Sequence, residues 1–191
     1  MGSMMFTSCI LKNMNISIKR YHRIQCKSTM PSSPLSRFEL HGYRPSPALS
    51  DDVNYMDIVM VITRSSMLRQ GSMGCLLVNP TCTNNSQIQH SDMLINRIIA
   101  AATNTSLFKP DDSDVHAEIN AIGQVAKHAH LSTQGATAYI TMPPCKRCFG
   151  ALFSAGIKRI VSRRPPDIKL KAAALNLGIE MACLTKGEAM E

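Results

Sequence analysis

The chain has 191 residues, of which 45% are hydrophobic and 18% are charged, as is typical of one globular domain with its own core. No stretch approaches the roughly 18 to 20 apolar residues that a membrane-spanning helix needs, so we expect no membrane partner. The formal charge is +8, but six basic residues and no acid lie in residues 1–38. Residues 39–191, with 15 basic and 13 acidic groups, are near neutral, so the charge is no evidence that the folded body binds nucleic acid.

The residues before position 51 are predicted to form an extension, residues 1–50, of the folded domain, residues 51–191. The beginning of the extension is basic, acid-free and sparsely apolar, which is typical of an organelle transit peptide, and it lacks the apolar segment of a secretory signal. A basic arm without a targeting role is the alternative. Residues 31–50 are rich in proline and serine and predict a linker. We therefore expect an intracellular protein, either mitochondrial or cytoplasmic.

The first elements of the domain are predicted to be one helix and a hairpin. Asp51 and Asp52 are expected to cap a helix that runs to about Ser66. Two apolar runs, at 74–78 and 94–102, predict strands that pair antiparallel across a long polar turn.

The rest of the chain predicts helices alternating with strands. Asp114 is a favourable N-cap for the first of these helices. The predicted elements are a helix at 115–128, a strand at 135–142, a helix at 145–155, a strand at 157–161, a helix at 167–177 and a strand at 179–184. Because a helix crosses between them, the last two strands should run parallel. The predicted fold is a three-layer α/β/α sandwich with a five-stranded mixed sheet.

Three residues at predicted helix starts are suited to bind a metal ion. His116 begins one helix, and Cys145 and Cys148 lie three positions apart, on one face of the next. Zinc prefers nitrogen and sulfur donors in a tetrahedral arrangement, and catalytic sites keep one position open for water. The helix N-terminus should also favour the thiolate form of both cysteines. Because no fourth ligand lies nearby in the sequence, the pattern predicts a catalytic Zn²⁺ site.

Glu118, two residues after His116, favours a hydrolase over a structural zinc site. Zinc lowers the pKa of a bound water toward about 7. A carboxylate beside this water can accept its proton and return it to the ring nitrogen and the leaving amine of a nucleobase. The alternatives are a structural zinc site or residues that do not come together. The seven cysteines, an odd number with one close pair, favour a metal site in a reducing compartment over a disulfide framework.

Residues 116–118 and 144–148 resemble the signature of the cytidine and deoxycytidylate deaminase superfamily of zinc enzymes. The resemblance extends over about residues 55–184 and implies that the three candidate ligands bind zinc and that the carboxylate shuttles protons. It further implies that the N–H of Ala117 contacts a substrate carbonyl and that Asn104 contacts the sugar or the base. Members of this superfamily commonly form dimers or larger assemblies, so the resemblance also implies a homo-oligomer.

Different segments resemble different branches of the superfamily. Residues 116–122 and 154–161 are most similar to deoxycytidylate deaminases, and the short loop from Asn104 to His116 is similar to that of tRNA adenosine and guanine deaminases. The leading hypothesis is hydrolytic deamination of a cytosine nucleotide or nucleoside, with deoxycytidylate as the first candidate substrate. The alternatives are a tRNA adenosine deaminase, or a subunit of one, and a non-catalytic, zinc-stabilised assembly subunit.

Basic residues are the candidates for binding substrate phosphate, whether of a small nucleotide or of tRNA. Three of them are expected near the pocket: Arg69, Lys146 and Arg147. Four others are expected to cluster after the fourth predicted strand and are interpreted either as phosphate contacts or as solvated charge: Lys158, Arg159, Arg163 and Arg164.

Overall fold

The computed structural model describes residues 33–68, 71–80 and 89–184. In these residues the elements are, in chain order, α1 (Asp51–Thr63), β1 (Gly74–Val78), α2 (His90–Asn96), β2 (Ile98–Thr103), α3 (Ala117–Ala126), β3 (Thr137–Ile140), α4 (Lys146–Ser154), β4 (Arg159–Ser162), α5 (Ile168–Asn176) and β5 (Glu180–Cys183). None of these helices is long and apolar enough to cross a membrane.

The five strands form one mixed sheet in the order β2-β1-β3-β4-β5. Strand β1 pairs antiparallel with β2 and β3, whereas β3, β4 and β5 run parallel, which confirms the predicted mixed sheet with an antiparallel first pair and a parallel last pair. In this arrangement β1 begins, and the other four strands end, at the same edge of the sheet. We call this the site edge and the other the opposite edge.

Helices cover both faces of the sheet, as predicted for a three-layer sandwich. Leu76 and Leu77 are both fully buried but belong to different core clusters, because successive side chains of a strand point to opposite faces. The cluster around Leu77 contains side chains of α3, α4 and α5, and the cluster around Leu76 contains side chains of α1.

Helix α1 is capped by Ser50 and not by the predicted Asp51 or Asp52. The Ser50 hydroxyl accepts a hydrogen bond from the N–H of Val53 at 3.3 Å. Both acids lie in the first turn, where their negative charges interact favourably with the positive end of the helix dipole. The carboxylate of Asp52 accepts two hydrogen bonds of 2.7 Å from the guanidinium of Arg159, so it joins α1 to the start of β4.

The strand predicted at 94–102 is wrong in its first half. Those residues end helix α2, and β2 begins only at Ile98. A short apolar run does not distinguish a buried strand from a helix by its periodicity. Here Leu94 is the buried residue of the helix, and Arg97 ends it with an ion pair of 3.0 Å to Asp51.

The N-cap predicted for α3 is also wrong. His116 occupies the N-cap position with an extended backbone, and the helix begins at Ala117. The carboxylate of Asp114 instead accepts hydrogen bonds from the N–H groups of Leu107 and Phe108, at 2.7 and 2.9 Å. Asp114 therefore stabilises the turn within the loop before α3 and does not cap the helix.

The described part of the predicted linker, residues 33–50, packs against the domain. Leu35 is 4% exposed and belongs to the core cluster around α1. The Asn54 amide accepts from the Ser46 N–H at 2.7 Å and donates to the Ser46 carbonyl at 2.9 Å. Residues 1–32, which carry the transit-peptide pattern, lie outside the described residues.

Candidate active site

A pocket of about 220 Å³ opens at the site edge of the sheet. It is lined by the loop before β1, the residues that follow β2 and β3, and the beginnings of α3 and α4. Ligand sites in α/β proteins commonly lie outside the carboxyl ends of the strands, where loops and helix N-termini converge. Two helix starts that meet here bring their first residues into one cavity.

The three candidate metal ligands come together at this pocket. The Nδ1 atom of His116 lies 3.3 Å from the Sγ of Cys148 and 3.8 Å from the Sγ of Cys145. All three donor atoms lie within 4.8 Å of one another. A tetrahedral zinc ion bonded at its usual distances separates a nitrogen from a sulfur ligand by about 3.6 Å. The donor set and its spacing therefore fit Zn²⁺.

Local chain geometry explains this convergence. His116 and Cys145 are both N-cap residues with extended backbones. Each side chain therefore lies at a helix start, where the first N–H groups have no intrahelical acceptor. Residues 143–144 are prolines, and they lie between the end of β3 at Ile140 and the N-cap of α4. Cys148 follows one turn into α4, and its N–H donates to the Cys145 sulfur at 3.5 Å.

Burial of Cys148 opposes the thiolate form that we expect the helix N-terminus to favour. Burial is the largest cause that raises its pKa above the usual range, and the nearby charge of Glu118 adds to this effect. A coordinated cation favours the thiolate form of such a ligand.

Glu118 lines the same pocket and is 7% exposed. Burial is the largest cause of its raised pKa, and its own backbone N–H, the charge of His116 and a hydrogen bond with Cys148 oppose the shift. A carboxyl group with a raised pKa takes up and releases a proton closer to neutral pH than an exposed glutamate does. The residue is thus suited to proton transfer beside the three donors.

Asn104 lines the pocket, but its amide is fully engaged by the protein. The Oδ1 atom accepts from the Met73 N–H at 2.9 Å and from the Ser66 hydroxyl at 3.2 Å. The Nδ2 atom donates to the Gly71 carbonyl at 3.0 Å and to the Ser113 hydroxyl at 2.9 Å. With four partners and 3% exposure, Asn104 holds the two loops that form the pocket wall. No pattern in the sequence indicates this structural role.

The other predicted substrate contacts lie in different settings. Ala117 is buried in the first turn of α3, where backbone N–H groups lack intrahelical acceptors. Lys146 and Arg147 are exposed on the first turn of α4 and are not among the residues that line the pocket. Arg69 lies outside the described residues.

The basic cluster around β4 separates into two groups. Lys158 and Arg159 lie at the opposite edge, where Arg159 is held by ion pairs to Asp52 and Glu180 of 2.7 Å each. Arg163 and Arg164 follow β4 at the site edge and line a second pocket of about 580 Å³. The prediction that all four cluster after the fourth strand is therefore wrong for Lys158 and Arg159, which lie at its start, because the sequence does not show where the strand begins.

Comparison with known proteins identifies a family whose sequence pattern matches residues 49–163, described as the cytidine and deoxycytidylate deaminase zinc-binding region. The match contains all three metal-ligand candidates and Glu118.

Two curated relatives match shorter segments. The deoxycytidylate deaminase of Enterobacteria phage T2 is 43% identical over 49 residues, which are 26% of this chain and 26% of the relative. The tRNA-specific adenosine deaminase of Buchnera aphidicola subsp. Schizaphis graminum is 35% identical over 66 residues, which are 34% of this chain and 43% of the relative. Each match therefore spans less than half of the relative's length.

A solved structure supports the fold over a greater length. The dCMP deaminase of cyanophage S-TIM5, in its apo form, aligns with a TM-score of 0.56 over 73% of this chain and 99% of that chain. The sequence identity in that alignment is 20%, so this similarity is one of fold.

Proposed function

Because the chain belongs to the family that carries the cytidine and deoxycytidylate deaminase zinc-binding region, we propose that it deaminates a cytosine nucleotide or nucleoside by hydrolysis, with deoxycytidylate as the leading substrate. The observation that carries the proposal is the buried Glu118 carboxyl group in one pocket with His116 and Cys145, whose donor atoms lie within 4.8 Å of each other and of the Cys148 sulfur.

In this proposal the cofactor is Zn²⁺, bound by the imidazole of His116 and the sulfurs of Cys145 and Cys148. When bound, a zinc ion with three protein ligands keeps a fourth position for water and lowers the pKa of that water toward about 7. The role of each protein group in the reaction then follows from its position in the pocket.

Glu118 moves the protons of the reaction. Its carboxylate accepts the proton of the attacking water and delivers it to ring nitrogen N3 of the cytosine. It then transfers the second proton of that water to the exocyclic amine, which leaves as ammonia, and a carbonyl replaces it to give the uracil product. Burial raises the pKa of Glu118, which helps it to hold each proton between these two transfers. The N–H of Ala117 is positioned at a helix start to donate to the base carbonyl.

Deamination of adenosine in tRNA is the second candidate. It is favoured by the 66-residue match to a tRNA-specific adenosine deaminase. The same three ligands and the same glutamate would serve that reaction, since it also replaces an amine on a nucleobase ring with a carbonyl. A non-catalytic assembly subunit is disfavoured by Glu118, since a purely structural metal site has no use for a buried carboxyl group in its pocket.

A substrate panel tests the proposal directly. Ammonia release is measured with dCMP, dCTP, cytidine and deoxycytidine, and inosine formation is measured in transcribed tRNA. We expect ammonia from at least one cytosine substrate and none after Glu118→Gln. Inosine in tRNA without turnover of any cytosine substrate would establish the second candidate instead. Zinc binding without either activity would support an assembly role.

A further inference from the structure

The second pocket, which we call the arginine pocket, adjoins the catalytic pocket. The two share three lining residues, Met73, Thr141 and Met142, so they lie side by side, as a ligand that spans both requires. The arginine pocket is completed by the end of α1, the loop before β1 and the two arginines that follow β4. Its volume of about 580 Å³ exceeds the 220 Å³ of the catalytic pocket.

The two arginines of this pocket lack the partners that hold other arginines of the fold. Within the described ranges, neither Arg163 nor Arg164 lies within 4.0 Å of a carboxylate, whereas Arg97 and Arg159 each do. The guanidinium of Arg163 instead contacts the sulfur of Met60 at 3.2 Å. It is close enough to Asp57 to oppose the pKa rise that burial causes there, but it forms no ion pair with that residue.

The composition of the pocket indicates what it can bind. Among its described lining residues are two arginines, three methionines and three hydroxyl-bearing residues, but no aspartate or glutamate. Unpaired guanidinium groups bind phosphate oxygens through charge-assisted and often bidentate hydrogen bonds. The methionines offer polarizable surface to a sugar or a base. The chemistry therefore suits a phosphate ester joined to an apolar or ring-shaped group.

We infer that Arg163 and Arg164 bind a phosphoryl group attached to the sugar of the substrate whose base lies in the catalytic pocket. The inference rests on the proposed function, because it assigns the reacting base to the pocket of Glu118. It makes the preferred substrate a nucleotide and not a nucleoside. The phosphate can be the 5′ group of a mononucleotide or a linkage to a neighbouring nucleotide, and the pocket is large enough for either.

The test compares a nucleotide with its nucleoside in variants of this pocket. We measure kcat/KM for dCMP and for deoxycytidine in wild type, Arg163→Ala, Arg164→Ala and the double variant. Each substitution should lower the ratio of dCMP to deoxycytidine by about tenfold, and the double variant by about 100-fold. Lys158→Ala removes the same charge at the other end of β4 and should leave the ratio within about twofold of wild type.

A binding measurement separates failure of this inference from failure of the proposed function. Calorimetry with dUMP and deoxyuridine reports the contribution of the phosphate without turnover, even if no cytosine substrate reacts. We expect dUMP to bind more tightly than deoxyuridine in wild type, and the difference to be lost in the double variant. If wild type binds dUMP more tightly than deoxyuridine but deaminates no cytosine substrate, the proposed function is overturned and this inference is not.

Two further arms identify the source of the phosphate and guard against misfolding. If dCMP and dCTP react better than the dinucleotide TpC, the substrate is a free nucleotide; the reverse order assigns the pocket to a polynucleotide. Arg163→Lys and Arg164→Lys replace the alanine variants if those do not fold. They keep the charge but lose the bidentate geometry, so their ratios of dCMP to deoxycytidine should be intermediate. An unchanged dCMP to deoxycytidine ratio in folded variants overturns the inference.

Discussion

At the start of β4, Arg159 is held by Asp52 and Glu180, whereas at the end of the same strand Arg163 and Arg164 face a pocket without carboxylates among its described residues. Arg159 at the opposite edge is thus paired, and the two arginines at the site edge are available to a ligand. A paired, half-buried charge contributes to stability, and an unpaired one in a cavity is available to a ligand.

The same contrast holds for the carboxyl groups. Burial tends to raise the pKa of Asp52, but hydrogen bonds from Arg159 and Tyr139 outweigh it, and the net pKa is lowered. For Glu118, burial outweighs the groups that favour the charged form, and the net pKa is raised. The fold therefore keeps one carboxylate ionised for an ion pair and leaves the other suited to exchange protons. Substitutions at the site edge should therefore mainly lower activity, and substitutions at the opposite edge should mainly lower stability.

The largest expected effect is that of Glu118→Ala. We expect it to reduce deamination by at least about 10³-fold, because the proton transfers lose their acceptor and donor. Zinc content and thermal unfolding should remain close to wild type, measured by elemental analysis and circular dichroism. Glu180→Gln, a carboxyl substitution at the opposite edge, is the control and should retain activity. A fully active Glu118→Ala variant would refute the proposed mechanism.

The next effect concerns the metal. Cys148→Ser should leave the purified protein with little zinc, because it removes one of three ligands and the remaining two hold the ion much more weakly. Elemental analysis gives the stoichiometry, and deamination should fall with it. Cys183→Ser, in β5 and outside the ligand cluster, should keep both zinc and activity. Full zinc occupancy in the Cys148→Ser variant would show that the metal is held elsewhere.

At the opposite edge the effect should fall on stability instead. Asp52→Asn removes the charge that Arg159 and Tyr139 bind, and we expect a loss of about 1.5–3 kcal/mol in the free energy of unfolding by urea. Deamination should stay within about twofold of wild type. Asp92→Asn, an exposed change of the same kind on α2, is the control and should have little effect on either quantity. A large loss of activity would contradict the division between the two edges.

The pH dependence of unfolding provides an independent check on Asp52. Because its folded-state pKa is lowered, its contribution is present above the unfolded value of about 3.9 and is lost as the pH falls through the folded-state pKa. Wild type should therefore lose stability relative to Asp52→Asn in this acidic range. A constant difference between the two proteins from pH 7 to pH 2 would mean that the ion pair does not contribute.

Features that depend on contacts between residues close in the sequence could be predicted, and those that depend on distant residues could not. The grouping of Cys145 and Cys148 depends on one helical turn, and the parallel final strands follow from a crossover helix, so both could be inferred locally. The role of Asn104 could not, because its partners Met73 and Gly71 lie 31 and 33 residues away in the chain. The orientation of Arg163 toward a pocket likewise depends on the assembled sheet.

Helix caps show why local rules also fail within a few residues. Asp114 has the right type and position to cap α3, but its carboxylate finds two N–H groups in the preceding loop. Ser50 and Asp51 are both good capping residues, and the sequence does not show which of them keeps the extended backbone that an N-cap requires. Propensity thus predicts that a helix begins nearby, and tertiary contacts decide the capping residue.

The smallest predicted effect concerns the residue that caps α1 at the opposite edge. Ser50→Ala should lower the free energy of unfolding by about 1 kcal/mol, because the N–H of Val53 loses its acceptor at the start of α1. Urea unfolding measures the loss, and Ser36→Ala, an exposed serine before the helix, is the control. Activity should not change, since α1 begins at the opposite edge and Glu118 lines the pocket at the site edge. If Ser50→Ala instead impaired deamination without destabilising the fold, the two edges would be coupled through α1, and the separation of stability from catalysis would fail.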